Sequence, residues 1–477
     1  MAFEFGDREQ AVKASLPQTG GLMKELLAET AVRAANYLAG AGNRRVAPRA
    51  EDVARLDALG GVLPQAGSDP AEVLALLDDF GSPATVTTAG GCYFGFVIGG
   101  AVPAALAANW LAGAWDQNAA LSVMSPVAAK IEEIVLSWIV ELLDLPSTCG
   151  AGFVTGTTMA NFSALAAART ALLQRVGWDV EEDGIFAAPS IQVVVGEEVH
   201  VSLLKALSML GLGRSRVFRV PTDNEGRMKP EELPQLDERT VVCVQLGNVN
   251  TGAFDPVKEI CSRAKEAGAW VHVDGAFGLW AAASSRYAHL LEGYAAADSW
   301  AIDCHKWLNV PYDSGIAVVR EPEHLRRAFA LSAAYLQAGT VREPCYYTPE
   351  ASRRARGIEL WAALRSLGRE GLRDLIERSC QLARLFADRL RKAGFEILND
   401  VVLNQVLVSF GGADTTQRVI AAVQKEGTCW CGGTQWHGRT AMRISVSSWA
   451  TTEEDVERSL AAIIKIANLG NVSPARA

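Results

Sequence analysis

The sequence predicts an α/β fold: a large domain with a mostly parallel central sheet, a helical segment before it and a small α+β domain after it. Three observations carry this expectation. From Gly152 onward, short apolar runs alternate with helical patterns, as in βαβ units. Beyond Thr348 the pattern changes to long helices and isolated strands. The chain has 477 residues, more than a single hydrophobic core usually serves, so several units sharing interfaces are expected.

Taken in order, Met23, Leu27, Ala31, Ala34 and Leu38 recur at helical spacing and form an apolar face that needs a partner. Pro70 opens a second helix running to Asp79. Residues 80–115 then carry no charge, a length sufficient to cross a bilayer. Pro83, Pro103, Gly90-Gly91, Gly95, Gly99-Gly100 and Asn109 interrupt that stretch, and no Lys or Arg flanks it, so it reads as buried strand-loop-helix structure. Ser125-Pro126 caps a helix over 126–143. Strands are expected at 191–195, 216–220, 241–245, 270–273 and 316–319, with helices over 201–210 and 256–267 between them. The last part predicts a helix over 358–393, a strand over 403–410, a helix from Thr416, a strand over 442–446 and a final helix capped by Thr451-Thr-Glu-Glu454.

Composition narrows the function. Hydrophobic residues make up 49% and charged residues 21%, as in ordinary globular chains, which argues against disorder. A net charge of −9 has the wrong sign for coating nucleic acid or an anionic membrane, although local geometry can still hold a small anion. The acidic start, Met1 to Asp7, lacks a basic stretch followed by an apolar run, so a cytoplasmic location is the default. Nine cysteines, an odd number without a C-x-x-C pair, read as ordinary thiols, and Cys429-Trp-Cys431 lacks the partners of a metal site.

Three motifs bear chemistry. Gly152-Phe-Val-Thr-Gly-Thr-Thr158-Met-Ala-Asn161 puts Gly and Thr just before an Ala-rich helix, which is either a turn and cap or an anion cradle. Val271-His-Val-Asp274-Gly-Ala-Phe277 ends a buried strand with an acid that either caps the next turn or meets a cation. Asp303-Cys-His305-Lys306-Trp307 puts an amine among apolar neighbours, either a solvated group or, if buried, a nucleophile toward carbonyls. Together, and with His200 after a strand, they supply what pyridoxal phosphate (PLP) needs: a phosphate cradle, a Schiff-base Lys, a carboxylate at the pyridine nitrogen and a flat ring to stack on the cofactor.

The ordered set, with Ser125-Pro126 and Gly247-Asn-Val-Asn-Thr-Gly252-Ala-Phe-Asp255-Pro256, resembles the group II PLP-dependent amino-acid decarboxylases, which include aromatic amino-acid, histidine and glutamate decarboxylases. The resemblance covers nearly the whole chain and implies a fold-type I PLP enzyme. It implies an N-terminal interface segment over 1–90, a PLP-binding domain over 91–347 and a small domain over 348–477. By it, Lys306 is the Schiff-base lysine, Asp274 the partner of the pyridine nitrogen and His200 the stacking histidine, with Ala276 on the opposite ring face. Thr157, Thr158, Asp303 and His305 are expected beside the phosphate. Tyr335 matches the loop tyrosine that protonates the carbanion after CO₂ leaves. Its other reading is a packed ring, and Tyr346 and Tyr347 lie nearby as substitutes.

The implied function is decarboxylation of an L-amino acid by a homodimer with active sites near the subunit interface. An oxygen-dependent aldehyde synthase and a PLP-dependent carbon–carbon lyase are the alternatives. The resemblance maps the substrate pocket onto Val97, Ile98 and Gly99, with Asn118 and Ala120 at a partner contact. Aromatic members carry bulky side chains at the first three positions, and the His-Pro pair common before them is Gly91-Cys92 here. Enlargement for an indole and remodelling for a small polar side chain both fit that change. Trp436-His437-Gly438 and Arg443 either reach the site or form a loop and a sheet edge.

Overall fold

The computed structural model describes residues 19–330 and 342–471. The chain divides into two compact units, Met1–Thr87 and Thr88–Ala477.

In the first unit, the helix Thr19–Gly40 leaves Leu22, Met23, Leu27, Val32 and Leu38 exposed, and Arg33 on it pairs with Asp78. A second helix, Pro70–Ala84, starts where Asp69 accepts the backbone N–H of Ala71 at 2.8 Å and Pro70 presets the first helical φ. The uncharged stretch is therefore not one span. Its first residues end this helix, and residues 103–115 form a separate helix in the second unit. No helix among the described residues is long and apolar enough to cross a membrane.

The second unit is built on a seven-stranded sheet: β1 (Gly150–Val154), β2 (Gln192–Gly196), β3 (Phe218–Val220), β4 (Thr240–Gln245), β5 (Trp270–Asp274), β6 (Ser299–Asp303) and β7 (Gly315–Val319). Their spatial order is β1-β7-β6-β5-β4-β2-β3, parallel from β6 through β3, with β7 antiparallel to both of its neighbours. β5 is buried at every position, as a central parallel strand must be when helices cover both faces. The helix Thr157–Arg175 packs on this sheet through Ala160, Ala164, Ala167, Ala168 and Ala171, all buried, whose small side chains allow a close approach.

A second, antiparallel sheet holds β8 (Glu396–Ile397), β9 (Gln405–Ser409), β10 (Gly432–Trp436) and β11 (Arg439–Ser445) in the order β10-β11-β9-β8. The two-residue turn His437-Gly438 has positive φ at both positions, 46° and 75°, as a tight hairpin turn requires. Trp436-His437-Gly438 is thus a strand end and a turn, and His437 is exposed.

Four strands depart from the sequence expectation, the two-residue β8 among them. β1 is glycine-rich because a Cβ on Gly152 would lie 2.0 Å from the Tyr347 carbonyl oxygen, so β-propensity gives no sign of it. β6 is bounded by polar Ser299 and Asp303, and β10 begins Gly432-Gly433. The expected helix over 358–393 is two helices joined at Gly368, whose φ of 63° breaks the helical path within Gly357–Lys392. The final helix is capped one residue later than expected. Thr452 and Asp455 bond reciprocally, while the Thr451 hydroxyl turns to the Gly91 carbonyl.

Candidate active site

The carboxyl ends of β5 and β6 lie side by side, so Asp274 and the Asp303-Cys-His305-Lys306 run emerge at one sheet edge. Such an edge is where open α/β sheets bind ligands. The Asp303 N–H donates to the Ala276 carbonyl at 3.0 Å, tying the two strand exits together.

Asp303 is almost fully buried and saturated with donors. Its Oδ2 meets the Lys306 Nζ at 2.8 Å, and its Oδ1 accepts the Thr157 N–H at 2.6 Å and lies 3.3 Å from the His305 Nε2. Burial pushes its carboxyl up, but Lys306 and His305 outweigh this and hold it below the usual carboxylate range. His305 accepts the Ser314 N–H on Nδ1, which leaves Nε2–H to face Asp303. Its ring stacks on Tyr312 with centroids 4.3 Å apart. Gly156 is required beside this cluster, because a Cβ there would lie 2.7 Å from His305. An ionised carboxylate offers a phosphate no donor, so the geometry makes Asp303 a holder for Lys306 and His305.

Asp274 is also buried, but its partners are neutral. Oδ2 accepts from the Asn161 Nδ2 at 3.1 Å and Oδ1 from the Ala276 N–H at 3.2 Å. None of the described Lys, Arg or His side chains forms an ion pair with it. His200 caps the helix Val201–Met209, its Nδ1 held by the Ser202 hydroxyl at 2.7 Å and facing the Ser202 N–H at 3.3 Å. Burial lowers its affinity for a proton against the pull of Asp274, and Lys306 and Arg443 add to the lowering, so the ring is neutral. Arg443, on β11, donates to the Asn250 Oδ1 at 3.3 Å and has no carboxylate partner among the described residues.

The expected pocket segment also reaches this edge. A Cβ on Gly99 would lie 2.0 Å from the Lys306 carbonyl oxygen, so Gly99 runs against the lysine backbone. Val97 is buried with φ 60°, a strained state for a β-branched residue. Asn118 and Ala120 sit elsewhere. The Asn118 side chain bonds Ser352, the Ala120 N–H and the Arg353 N–H, and the Ala120 carbonyl accepts from Cys345. Tyr335 lies outside the described residues.

PLP fits these residues on two observations. The Thr157 Oγ1, at the start of the helix Thr157–Arg175, is buried without a hydrogen-bond partner, an open polar atom where an anion is expected. Asp274 is a buried carboxylate without a cation, as a partner for a protonated ring nitrogen must be. Sequence reasoning assigned no role to Asn161 or His272, although His272 and Asp274 stand two apart on β5 and so share a face.

An amine and a cation-free carboxylate at adjacent strand ends, beside an open hydroxyl at a helix start, define a fold-type I PLP-dependent enzyme. The family model described as the pyridoxal-dependent decarboxylase conserved domain matches residues 84–411, and the chain belongs to that family, as a PLP-dependent carboxy-lyase. Among curated relatives, the chain is 26% identical to the aromatic-L-amino-acid decarboxylase of Bacillus atrophaeus over 416 residues, covering 82% of this chain and 84% of the relative. It is 30% identical to the acidic amino acid decarboxylase GADL1 of Bos taurus over 308 residues, 61% and 58% of the two chains. Among solved structures, Oryza sativa TDC with PLP and tryptamine shares the fold at TM-score 0.87 and 23% identity, covering 95% of this chain and 99% of that one. Rhodiola rosea 4-hydroxyphenylacetaldehyde synthase does so at TM-score 0.82 and 23% identity, covering 96% and 100%.

Proposed function

We propose that the protein decarboxylates an L-amino acid to the corresponding amine, with Lys306 receiving the PLP aldehyde and Asp274 facing the ring nitrogen. His200 would stack on one ring face and Ala276 would pack on the other. Thr157, Thr158 and His305 hold the phosphate, and Asp303 orients Lys306 and His305. The observation that carries this reading is Asp274, buried and bonded to neutral donors alone. A buried carboxylate is costly without a cation, and a protonated pyridine nitrogen supplies one.

When bound, PLP supplies an acceptor for the electron pair released as CO₂ departs. Asp274 would keep the ring nitrogen protonated, so that the acceptor would stay strong. The neutral imidazole of His200, pinned through Nδ1 by Ser202, sets the tilt of the ring without competing for its charge. Arg443 offers a half-buried guanidinium to a carboxylate of the substrate. Tyr335 donates the proton to the α-carbon once CO₂ has left. Val97, Ile98 and Gly99 bound the substrate side chain, and Asn118 and Ala120 reach the site of a partner copy.

Residues 1–90 are an interface segment, 91–347 the PLP-binding domain and 348–477 the small domain of a cytoplasmic homodimer. The exposed Leu22, Met23, Leu27, Val32 and Leu38 of the first helix support a second copy as the partner. A panel of proteinogenic and β-hydroxy L-amino acids, scored separately for CO₂, amine, aldehyde and peroxide, tests the reaction. CO₂ and amine in equal amounts from one or a few amino acids are expected. Aldehyde with peroxide and ammonia as the main products, or glycine with aldehyde from a β-hydroxy amino acid, would overturn it.

A further inference from the structure

Behind Asp274 runs a chain of hydrogen bonds that the decarboxylation reading does not use. The Trp270 Nε1 donates to the Ser299 Oγ at 2.9 Å, and the same oxygen lies 2.9 Å from the His272 Nδ1. The His272 Nε2 lies 2.8 Å from the Asn161 Oδ1, and the Asn161 Nδ2 donates to the Asp274 Oδ2 at 3.1 Å. Trp270 is 2% exposed and Ser299, His272 and Asn161 are 0% exposed, so water does not substitute for any link.

The direction of this chain follows from its far end. An indole N–H only donates, so the Ser299 oxygen accepts from Trp270. If His272 also donated to it, the buried Ser299 hydroxyl hydrogen would have no acceptor among the described residues. Ser299 therefore donates to Nδ1, and the His272 proton sits on Nε2 and faces Asn161. The amide then accepts through Oδ1 and presents its N–H₂ to Asp274. The Oδ2 of Asp274 is then fixed as the acceptor of the amide N–H. Burial pushes the His272 imidazole down to about 3, and the relay stays neutral at physiological pH.

We propose that Asn161, His272, Ser299 and Trp270 are positioning residues that hold Asp274 oriented as an acceptor, and so set the proton affinity of the cofactor's ring nitrogen. This rests on the reading that Asp274 faces that nitrogen. A charged partner in place of Asn161 would neutralise Asp274, whereas a neutral amide orients it and leaves its charge for the ring. Trp270 acts on Asp274 through three intervening residues, by dictating which nitrogen of His272 holds the proton.

The test uses holoenzyme reconstituted with PLP labelled with ¹⁵N in the ring, and follows the ¹⁵N chemical shift against pH. In the unmodified protein the nitrogen is expected to stay protonated through neutral pH. Asn161→Ala is expected to retain PLP stoichiometrically, to lower the pH at which the ring nitrogen loses its proton, and to reduce kcat about ten- to a hundredfold with KM little changed. Ser299→Ala is expected to act in the same direction with a smaller effect, and it carries the test if Asn161→Ala does not fold. His272→Gln, which keeps an N–H toward Asn161, is expected to preserve the shift better than His272→Phe. Asp274→Ala separates the two claims. If Asp274→Ala moves the ¹⁵N titration while Asn161→Ala and Ser299→Ala leave it unchanged, the positioning role is overturned and the Asp274 assignment stands. If Asp274→Ala also leaves it unchanged, the assignment itself fails.

Discussion

Asp274 and Asp303 end neighbouring strands of one sheet and are both buried, yet they are satisfied in opposite ways. Asp303 meets a lysine, a histidine N–H and a backbone N–H, so its charge is answered within the chain. Asp274 meets an amide and a backbone N–H and keeps its charge for a ligand. Two similar residues one strand apart therefore have different duties: one organises the amine that receives the cofactor, the other tunes the ring. The difference lies in the partners, because both carboxylates are buried.

The largest expected effect removes the group that Asp303 organises. Lys306→Ala is predicted to abolish both the visible absorption of the holoenzyme and CO₂ release, and a retained borohydride-sensitive band would show the lysine to be misassigned. Gly99→Ala comes next, since its Cβ would strike the Lys306 carbonyl and displace the amine from Asp303. Turnover is predicted to fall along with a stability loss of about 1–3 kcal/mol, and unchanged Tm and kcat would show that the segment has room to spare.

The smallest effect is on acid stability, from the neutral side of the comparison. Folding holds the His272 imidazole at about 3, whereas an unfolded histidine takes a proton near 6.5. The unfolded state then binds more protons within that window, so stability is full above about 6.5 and falls as pH drops toward about 3. His272→Gln is predicted to flatten part of that slope in Tm measured against pH, and an unaltered slope would count against a buried neutral His272. Asp303 behaves differently: its depressed carboxyl keeps its pairing intact above the ordinary carboxylate range near 4 and loses it only as pH falls further, through the folded value.

How much of this was legible in the sequence follows the same division. The central strands β4 and β5 are largely apolar, β5 being interrupted by His272, and both match the sequence expectation within a residue, because full burial writes itself into composition. β1 was not legible, since the close approach of the Tyr347 backbone demands glycine at 152, and neither was β10, whose Gly432-Gly433 start carries no strand pattern. Asp274, Lys306 and His200 were legible as an ordered set. The Thr157 contact of Asp303 was not, because its N–H arrives from a helix 146 residues away in sequence. Asn161 and His272 were visible as letters within motifs, but their link exists only once the helix Thr157–Arg175 lies across β5.

The contrast between the two carboxylates is tested most directly by comparing Asp274→Asn and Asp303→Asn for PLP occupancy and CO₂ release. Asp274→Asn is predicted to keep PLP bound while CO₂ release falls about 10²–10³-fold, because the ring nitrogen loses the charge that holds its proton. Asp303→Asn is predicted to weaken PLP retention first, because Lys306 loses its anchor. Near-normal CO₂ release from PLP-loaded Asp274→Asn would contradict the account.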